Sequence, residues 1–180
     1  MTATEQPGTE NGPGSEDADL GGEVTLGSAL FTLVEPHRGH EVDYHRWYER
    51  DHFYAGCMIG PWFFAGRRWV ATRDLKDLRI GATSDSADEP LFGDDRAGSY
   101  LALYWVLKGR FRENTDWGTR QVHWLHRNDR MFEHRDHIHT LLYRFRGEQR
   151  RHPDGVPAEL ALDHPFTGLA AVVVERADTS

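Results

Sequence analysis

The amino-acid sequence predicts an α+β fold in which one antiparallel sheet carries two helices on one of its faces. Three observations indicate this class. The predicted elements follow the order β-α-β-loop-β-α-β, and 180 residues are enough for one domain with a sizeable core. The strand predicted at residues 100–108 is apolar on both faces, so both faces of the sheet should be covered.

The first half of the domain contains two predicted strands around an aromatic helix. Residues 28–35, SALFTLVE, are apolar and rich in strand formers. A helix of about four turns is predicted after Gly39, with acidic residues near its start. The Gly60-Pro61 pair then breaks the chain, and the β-rich residues 62–73 form the second strand.

The second half contains a long loop, a strand, a helix and a last strand. The polar stretch 74–98 has no sustained period, which predicts a loop with at most a short helical turn. Residues 100–108 give the clearest strand of the chain. A long helical segment is predicted from residue 114 to about residue 151, with a break near residue 128 left open. Residues 168–176, GLAAVVVER, form a continuous apolar run that predicts a strand inside the sheet.

This order of elements is the ferredoxin-like βαββαβ arrangement, with both helices on one face of the sheet. The other face would then be uncovered, although the strand at residues 100–108 is apolar on that side as well. A second copy of the same sheet is the simplest cover, so we expect a homodimer.

The charge of the chain is concentrated at its start. Residues 1–27 are predicted to be a disordered acidic tail and residues 28–180 the single domain. The first 23 residues hold six of the 29 acidic residues and no Lys or Arg, so most of the net charge of -8 lies there. The nearly neutral remainder has no basic field that would favour nucleic acid or an anionic membrane surface. With no apolar run of roughly 20 residues and no signal pattern, a cytoplasmic location is expected.

The single cysteine, Cys57, excludes an internal disulfide and leaves any metal site to histidines and carboxylates. A small buried apolar side chain is a commoner role for such a residue than a reactive thiol. We therefore expect Cys57 to belong to the core.

The chain resembles the dimeric α+β barrel superfamily, and within it most closely the EthD-type branch. The residues that carry the resemblance are the first strand, the helix segment YHRWYERDH that ends at His52, the Gly60-Pro61 break and the arginine-bearing second strand. The similarity covers about residues 28–73, and beyond them only the order of elements agrees. It implies ferredoxin-like protomers joined sheet to sheet, each with a small-molecule cavity between sheet and helices. Members include cofactor-free monooxygenases of aromatic polyketides, lactone isomerases, polyketide cyclases and haem-dependent enzymes, so the fold leaves the reaction open.

The first helix carries the main candidate site. Tyr44, Tyr48 and His52 recur every fourth residue and therefore share one stripe of an α-helix. Two phenols and an imidazole on one stripe could orient a phenolic or enolic substrate and move its proton, with His52 as general acid or base near neutral pH. The alternative is that the tyrosines belong to the core and His52 is hydrogen-bonded near the helix end.

The second strand adds two arginines that must point to opposite faces, Arg67 and Arg68. At most one of them can enter a given cavity, where it could hold a substrate carboxylate or stabilise an enolate. An ion pair with Glu35 or Asp51 is an equally plausible use of the side chain.

The predicted second helix aligns several histidines with apolar residues that should face the sheet. At 100 degrees per residue they form one stripe, made of His123, His126, His134 and His137. Imidazoles would then lie beside the cavity, and neighbouring pairs have a spacing that could share a metal. No third ligand is fixed by the sequence, so satisfied or surface histidines are the commoner interpretation.

These observations favour a small-molecule enzyme that acts on an aromatic or polyketide-like substrate by cofactor-independent proton transfer, as an oxygenase, cyclase or isomerase. The proposed catalytic residues are His52, Tyr44, Tyr48 and one of the pair Arg67 and Arg68. The proposed substrate-binding residues are Trp47, Trp69, Trp105, His123, His126 and His134. The alternatives are a non-catalytic ligand-binding dimer and a haem or metal protein that uses the second-helix histidines. No cofactor is expected under the first hypothesis.

Overall fold

The computed structural model describes residues 23–80 and 96–174. Its elements, in chain order, are β1 (Leu26–Pro36), α1 (Glu41–Trp47) continued by a π-helix (Tyr48–Met58), β2 (Phe63–Val70), α2 (Arg73–Lys76), β3 (Tyr100–Leu107), α3 (Phe111–Arg127), β4 (Arg135–Arg144) and a 3₁₀ turn (Ala158–Leu160). Residues 1–22 of the predicted tail and residues 81–95 of the predicted loop lie outside the described residues. The short helical turn expected in that loop is α2.

The four strands form one sheet in the order β2-β3-β1-β4, and every neighbouring pair is antiparallel. Leu30 in the middle of β1 is paired with Tyr104 of β3 on one side and with Leu142 of β4 on the other. The helices α1 and α3 lie in the connections β1–β2 and β3–β4. The predicted α+β class with an antiparallel sheet and a few helices is confirmed.

The helix after β1 begins as the sequence predicts and then changes geometry. Acidic residues occupy its first turn, where their charge favours the positive helix end, and Gly39 before it has a φ of 88° that suits glycine. From Tyr48 to Met58 the backbone is π-helical, the form in which each N–H bonds five residues back. The bond from Ile59 N to Tyr54 O, 3.1 Å long, has that spacing. Because a π-helix has more residues per turn than an α-helix, it changes which side chains face the sheet.

The core lies between the helices and one face of the sheet. It is aromatic rather than aliphatic, and its buried members are Val34, Tyr44, Tyr48, Cys57, Phe63, Ala102, Tyr104 and Val106. Cys57 is therefore buried, as expected. The core also places phenol groups at its centre, where each needs a hydrogen-bond partner.

The opposite face of the sheet is covered in part by the chain itself. Leu162 packs against Ala65 and Leu103, and the indole of Trp105 donates a 2.8 Å hydrogen bond to the carbonyl of Ala158. Phe166 stacks on the ring of Trp69 at a centroid distance of 5.9 Å. The expectation that this whole face stays uncovered is therefore wrong for its β2–β3 half. The β1–β4 half keeps exposed apolar side chains.

The long helix predicted at residues 114–151 is wrong beyond Arg127. The chain turns at Asn128 and Asp129, and Asp129 adopts a φ of 52°, in the left-handed region that Asp tolerates better than most residues. The chain then re-enters the sheet as β4 at residues 135–144. This segment, RDHIHTLLYR, contains Ile, Thr and Tyr, which favour a strand.

The strand predicted at residues 168–176 is not formed in the described residues. Residues 168–174 have no regular structure, and Val172 is 87% exposed. The fourth strand of the sheet is β4, formed by residues 135–144, so the prediction that residues 168–174 belong to the last strand is wrong. Within residues 23–80 and 96–174, no helix is long and apolar enough to cross a membrane.

Candidate functional site

The residues singled out by the sequence fall into three places in the structure. The first helix and β2 bring five of them together beneath the helix, namely Tyr44, Trp47, Tyr48, His52 and Arg68. Three others, Arg67, Trp69 and Trp105, lie on the opposite face of the sheet. The histidines at positions 123 and 126 are on α3 and the one at 134 is in the turn before β4. We call the first group, with Tyr104, the Tyr48 cluster.

Tyr48 is at the centre of this cluster. Its hydroxyl lies 2.7 Å from the hydroxyl of Tyr104, and both side chains are buried. Burial raises the pKa of both phenols well above the usual value, and it raises the pKa of Tyr44 to about 12. Burial also raises the pKa of the neighbouring Cys57 thiol to about 12. These groups are therefore neutral hydrogen-bond donors and acceptors at neutral pH.

His52 lies on one side of Tyr48. Its ring stacks on Trp47 at a centroid distance of 4.3 Å and meets Tyr48 edge to face at 5.3 Å. Burial, with a smaller contribution from Arg135, lowers the pKa of His52 to about 3, so the imidazole is neutral at neutral pH. The expectation of a histidine that titrates near neutral pH is therefore wrong. Its Nδ1 is buried and has no hydrogen-bond partner among the described residues.

Gly56 makes room for this ring. A Cβ atom at Gly56 would lie 2.7 Å from Cε1 and 2.9 Å from Nδ1 of His52. Contacts below 3.0 Å require something to move. Because Gly56 has no side chain, the imidazole can occupy this space.

Arg68 also contacts the ring of Tyr48. Its side chain is only 11% exposed, and its Cζ is 4.0 Å from the centroid of the Tyr48 ring, an arrangement that favours a cation–π interaction. Nη1 is 3.4 Å from Oε1 of Glu49. Nε and Nη2 are buried and have no hydrogen-bond partner in the described part of the chain. This arginine thus keeps unused donors in the protein interior.

Arg67 points to the opposite face of β2, as strand alternation requires. Its Nη1 donates to the carbonyls of His164, at 2.6 Å, and Leu162, at 3.2 Å. Its Cζ lies 4.2 Å from the centre of the Phe166 ring. Arg67 therefore holds the C-terminal segment against the sheet, on the face opposite the Tyr48 cluster.

Arg135 at the start of β4 borders the Tyr48 cluster and was not predicted from the sequence. Its Cζ lies 4.9 Å from the Trp47 ring, and its Nε is 3.3 Å from Nε2 of His137. A polar chain continues from His137 Nδ1 to Thr140 Oγ1, at 2.9 Å, and from there to Thr32 Oγ1, at 3.0 Å. The signal was hidden because residues 135–144 were assigned to a helix, which has a different period from a strand.

The predicted row of histidines along a second helix is not formed. His123 and His126 are exposed on α3, whereas His134 stacks on His40 at a centroid distance of 3.9 Å. Among residues 23–80 and 96–174, no group of three or more His, Cys, Asp or Glu side chains could hold a metal ion.

A surface groove of about 560 Å³ lies on the other side of the π-helix, between that helix and α3. Its lining includes Asp51 and Arg130, which form an ion pair, and the partly exposed Trp124. A second groove of about 580 Å³ lies in the C-terminal segment around Arg150. Neither groove is lined by members of the Tyr48 cluster.

The cluster combines a neutral imidazole, buried phenols and a buried guanidinium. This set can accept a proton, donate hydrogen bonds to a developing oxyanion and hold an anionic group. No protein-family model, curated protein or solved structure matches the chain.

Proposed function

We propose that the protein is an enzyme that binds a small aromatic or polyketide-like molecule at the Tyr48 cluster and transfers a proton from it without a cofactor. The observation that carries the proposal is the unused hydrogen-bonding capacity of two residues that contact Tyr48, at His52 Nδ1 and at Nε and Nη2 of Arg68. Buried polar groups without partners are rare in proteins, because each loses its hydrogen bonds to water. A bound substrate would supply the missing partners.

The residues have distinct roles in this proposal. The lone pair of the neutral His52 imidazole accepts a proton from an acidic C–H or O–H group of the substrate, and the electron pair of the broken bond becomes an enolate or phenolate. Arg68 and the neutral phenols Tyr44 and Tyr48 stabilise that oxyanion. Because burial opposes the imidazolium form, the proton stays on His52 only while the anion lies beside it. Return of the proton to a different substrate atom completes an isomerisation or cyclisation.

A non-catalytic ligand-binding protein is the second candidate. It is favoured by the low pKa of His52, about 3, which makes the free imidazole a weak base. The two candidates predict the same ligand contacts and differ in whether a proton moves.

An exchange experiment separates the two. The enolisable aromatic ketone 2-tetralone is incubated with the full chain in D₂O, and NMR follows deuterium incorporation next to its carbonyl. We expect faster exchange with the wild-type protein than with His52→Gln. The matched control His123→Gln, on the exposed face of α3, should exchange like the wild type. Equal rates in wild type and His52→Gln would overturn the catalytic proposal.

We also propose the ferredoxin-like arrangement of an EthD-type dimeric α+β barrel as the architecture around this site. The strand order β2-β3-β1-β4, with all neighbours antiparallel and a helix in each crossover, supports it. The support lies in topology alone.

Homodimerisation is part of the same proposal. On the β1–β4 half of the free sheet face, Leu141 is 51% exposed and Tyr143 is exposed beside Phe31. The edge strand β4 is ten residues long, and such edges are normally covered or protected. A second copy would bury these residues.

Light scattering coupled to size-exclusion chromatography tests the dimer. We expect twice the chain mass for the wild type and for the control Val122→Asp on α3, and a shift toward monomer for Leu141→Asp. A monomeric wild type at all accessible concentrations would refute dimerisation and leave the proton-transfer proposal standing.

A further inference from the structure

We infer that the natural ligand of the Tyr48 cluster carries a carboxylate that binds side-on to the Nε and Nη2 edge of Arg68. This inference rests on the proposed function and narrows its substrate class to aromatic or polyketide-like carboxylic acids. It depends on which nitrogens of Arg68 lack partners.

The unpaired nitrogens lie on the same edge of the guanidinium plane. Nε–H and one N–H of Nη2 point in parallel from that edge, and their spacing matches the two oxygens of a carboxylate. In this structure both nitrogens are buried and have no hydrogen-bond partner among the described residues, while Nη1 at the other end faces Glu49. The free part of Arg68 is thus a complete bidentate fork.

No anion among the neighbouring groups faces the fork edge. Glu49 has a side chain that is 56% exposed, and its Oε1 lies 3.4 Å from Nη1 of Arg68 and 3.3 Å from Nε2 of His45. The Tyr44 phenol interacts with the Arg68 guanidinium, which lowers its pKa, but the larger effect of burial raises that pKa to about 12, so Tyr44 remains a neutral phenol. A carboxylate would therefore bring to the fork the negative charge that Tyr44 does not supply.

The surroundings favour a flat monoanion. The Cζ of Arg68 lies 4.0 Å from the ring centroid of Tyr48, 5.5 Å from that of Tyr100 and 5.8 Å from that of Tyr44. Tyr44 and Tyr48 are buried, whereas Tyr100 is partly exposed, so an aryl group attached to the carboxylate would stack on the Tyr100 ring. Glu49 already places one negative charge beside the single positive charge of Arg68, so a monoanion is repelled less than a doubly charged phosphate. This separates an aryl carboxylate from phosphate esters.

The test uses pairs of probes that differ only in charge: 1-naphthoate with 1-naphthamide, and salicylate with salicylamide. Isothermal titration calorimetry on the full chain measures the affinity of each. We expect the wild type to bind each carboxylate about 10- to 100-fold more tightly than its amide, the range of a charge-assisted hydrogen-bond pair. Arg68→Met and Arg68→Lys should both lose most of this preference, because Lys keeps the charge and lacks the planar fork.

The chain provides a matched control on the same strand. Arg67→Met removes a guanidinium from the opposite face, where its partners are the carbonyls of Leu162 and His164, and should keep the carboxylate preference. Circular dichroism of each variant checks its fold, and Arg68→Lys keeps the test valid if Arg68→Met unfolds.

The inference is overturned if the wild type binds none of the four probes or shows no preference for the carboxylates. It is also overturned if the preference survives in both Arg68 variants, or if Arg67→Met alone removes the preference. Deuterium exchange on the uncharged 2-tetralone does not require that the fork bind a carboxylate. Loss of the carboxylate preference with exchange intact refutes this inference alone, whereas loss of exchange with the preference intact refutes the proton transfer.

Discussion

The hydroxyl pair of Tyr48 and Tyr104 makes a prediction that can be worked in detail. The two oxygens are 2.7 Å apart, and the Tyr104 side chain is 0% exposed. Removing one partner of a buried hydrogen bond costs about 1–3 kcal/mol, because the other is left unsatisfied. Removing both with phenylalanine conserves the shape of the core and leaves no orphan between them.

The two single substitutions should differ in size. After Tyr48→Phe, the Tyr104 hydroxyl still has the Cys57 sulfur as a hydrogen-bond partner, so we expect a loss near about 1 kcal/mol. After Tyr104→Phe, both Tyr48 and Cys57 lose their partner, so about 2 kcal/mol is expected. The double variant should lose about 1 kcal/mol less than the sum of the two single losses, and this difference is the coupling energy of the pair.

Urea unfolding followed by tryptophan fluorescence measures these free energies, provided that the slope with denaturant is the same for all variants. Tyr54→Phe is the control, because Tyr54 is 57% exposed and its substitution should change stability by less than about 0.5 kcal/mol. Strictly additive losses for Tyr48→Phe and Tyr104→Phe would show that the hydroxyls do not interact, and the geometry of the cluster would have to be revised.

Of three further predictions, two concern the same cluster and one concerns the C-terminal segment on the opposite face of the sheet. Gly56→Ala places a Cβ 2.7 Å from the His52 ring, so we expect destabilisation by about 1–3 kcal/mol in urea unfolding and slower 2-tetralone exchange; an unchanged protein would contradict the packing. The pKa of His52 is about 3 in the folded chain against about 6.5 when unfolded, so the stability it contributes is complete above pH 6.5 and is lost as pH falls toward 3, by up to about 1.4 kcal/mol per pH unit. His52→Gln should flatten that slope in pH-dependent unfolding, whereas His123→Gln should not. Phe166→Ala removes the ring between Arg67 and Trp69, so limited proteolysis should cut the C-terminal segment faster while leaving the cluster intact, and an unchanged rate would argue against that clamp.

The sequence predicted the α+β class because that class depends on local periodicity and on glycine and proline breaks. The wrong prediction of a helix beyond Arg127 also results from this dependence on local patterns. Residues 135–144 fit a helical period because apolar and polar residues fall at three- and four-residue spacing, while the more apolar residues 168–174 look like a better strand. Pairing with β1 decides between them, and that contact is not encoded locally.

The candidate site was predicted in part. Strand alternation alone separates Arg67 from Arg68, and helical spacing groups Tyr44 with Tyr48. The partner hydroxyl of Tyr104 comes from a strand far away in the chain, so no local spacing could identify it. The lowered pKa of His52 could not be predicted from the sequence either, because it depends on burial under residues of other elements.

The π-helix explains why His52 stacks on Trp47 instead of facing the sheet. In an α-helix His52 would continue the stripe of Tyr44 and Tyr48 toward the sheet, but a π-helix has more residues per turn and turns it away. Phe53 takes the position facing the sheet, with its ring 5.4 Å from Tyr104, and His52 turns to stack on Trp47. Arg68 contacts the Tyr48 ring from β2, so the proposed base and the proposed anion-binding group both lie against one phenol. Under the proposed function, a substrate whose carboxylate binds Arg68 would lie beside the same phenol as the imidazole, whose stacking on Trp47 depends on the π-helix.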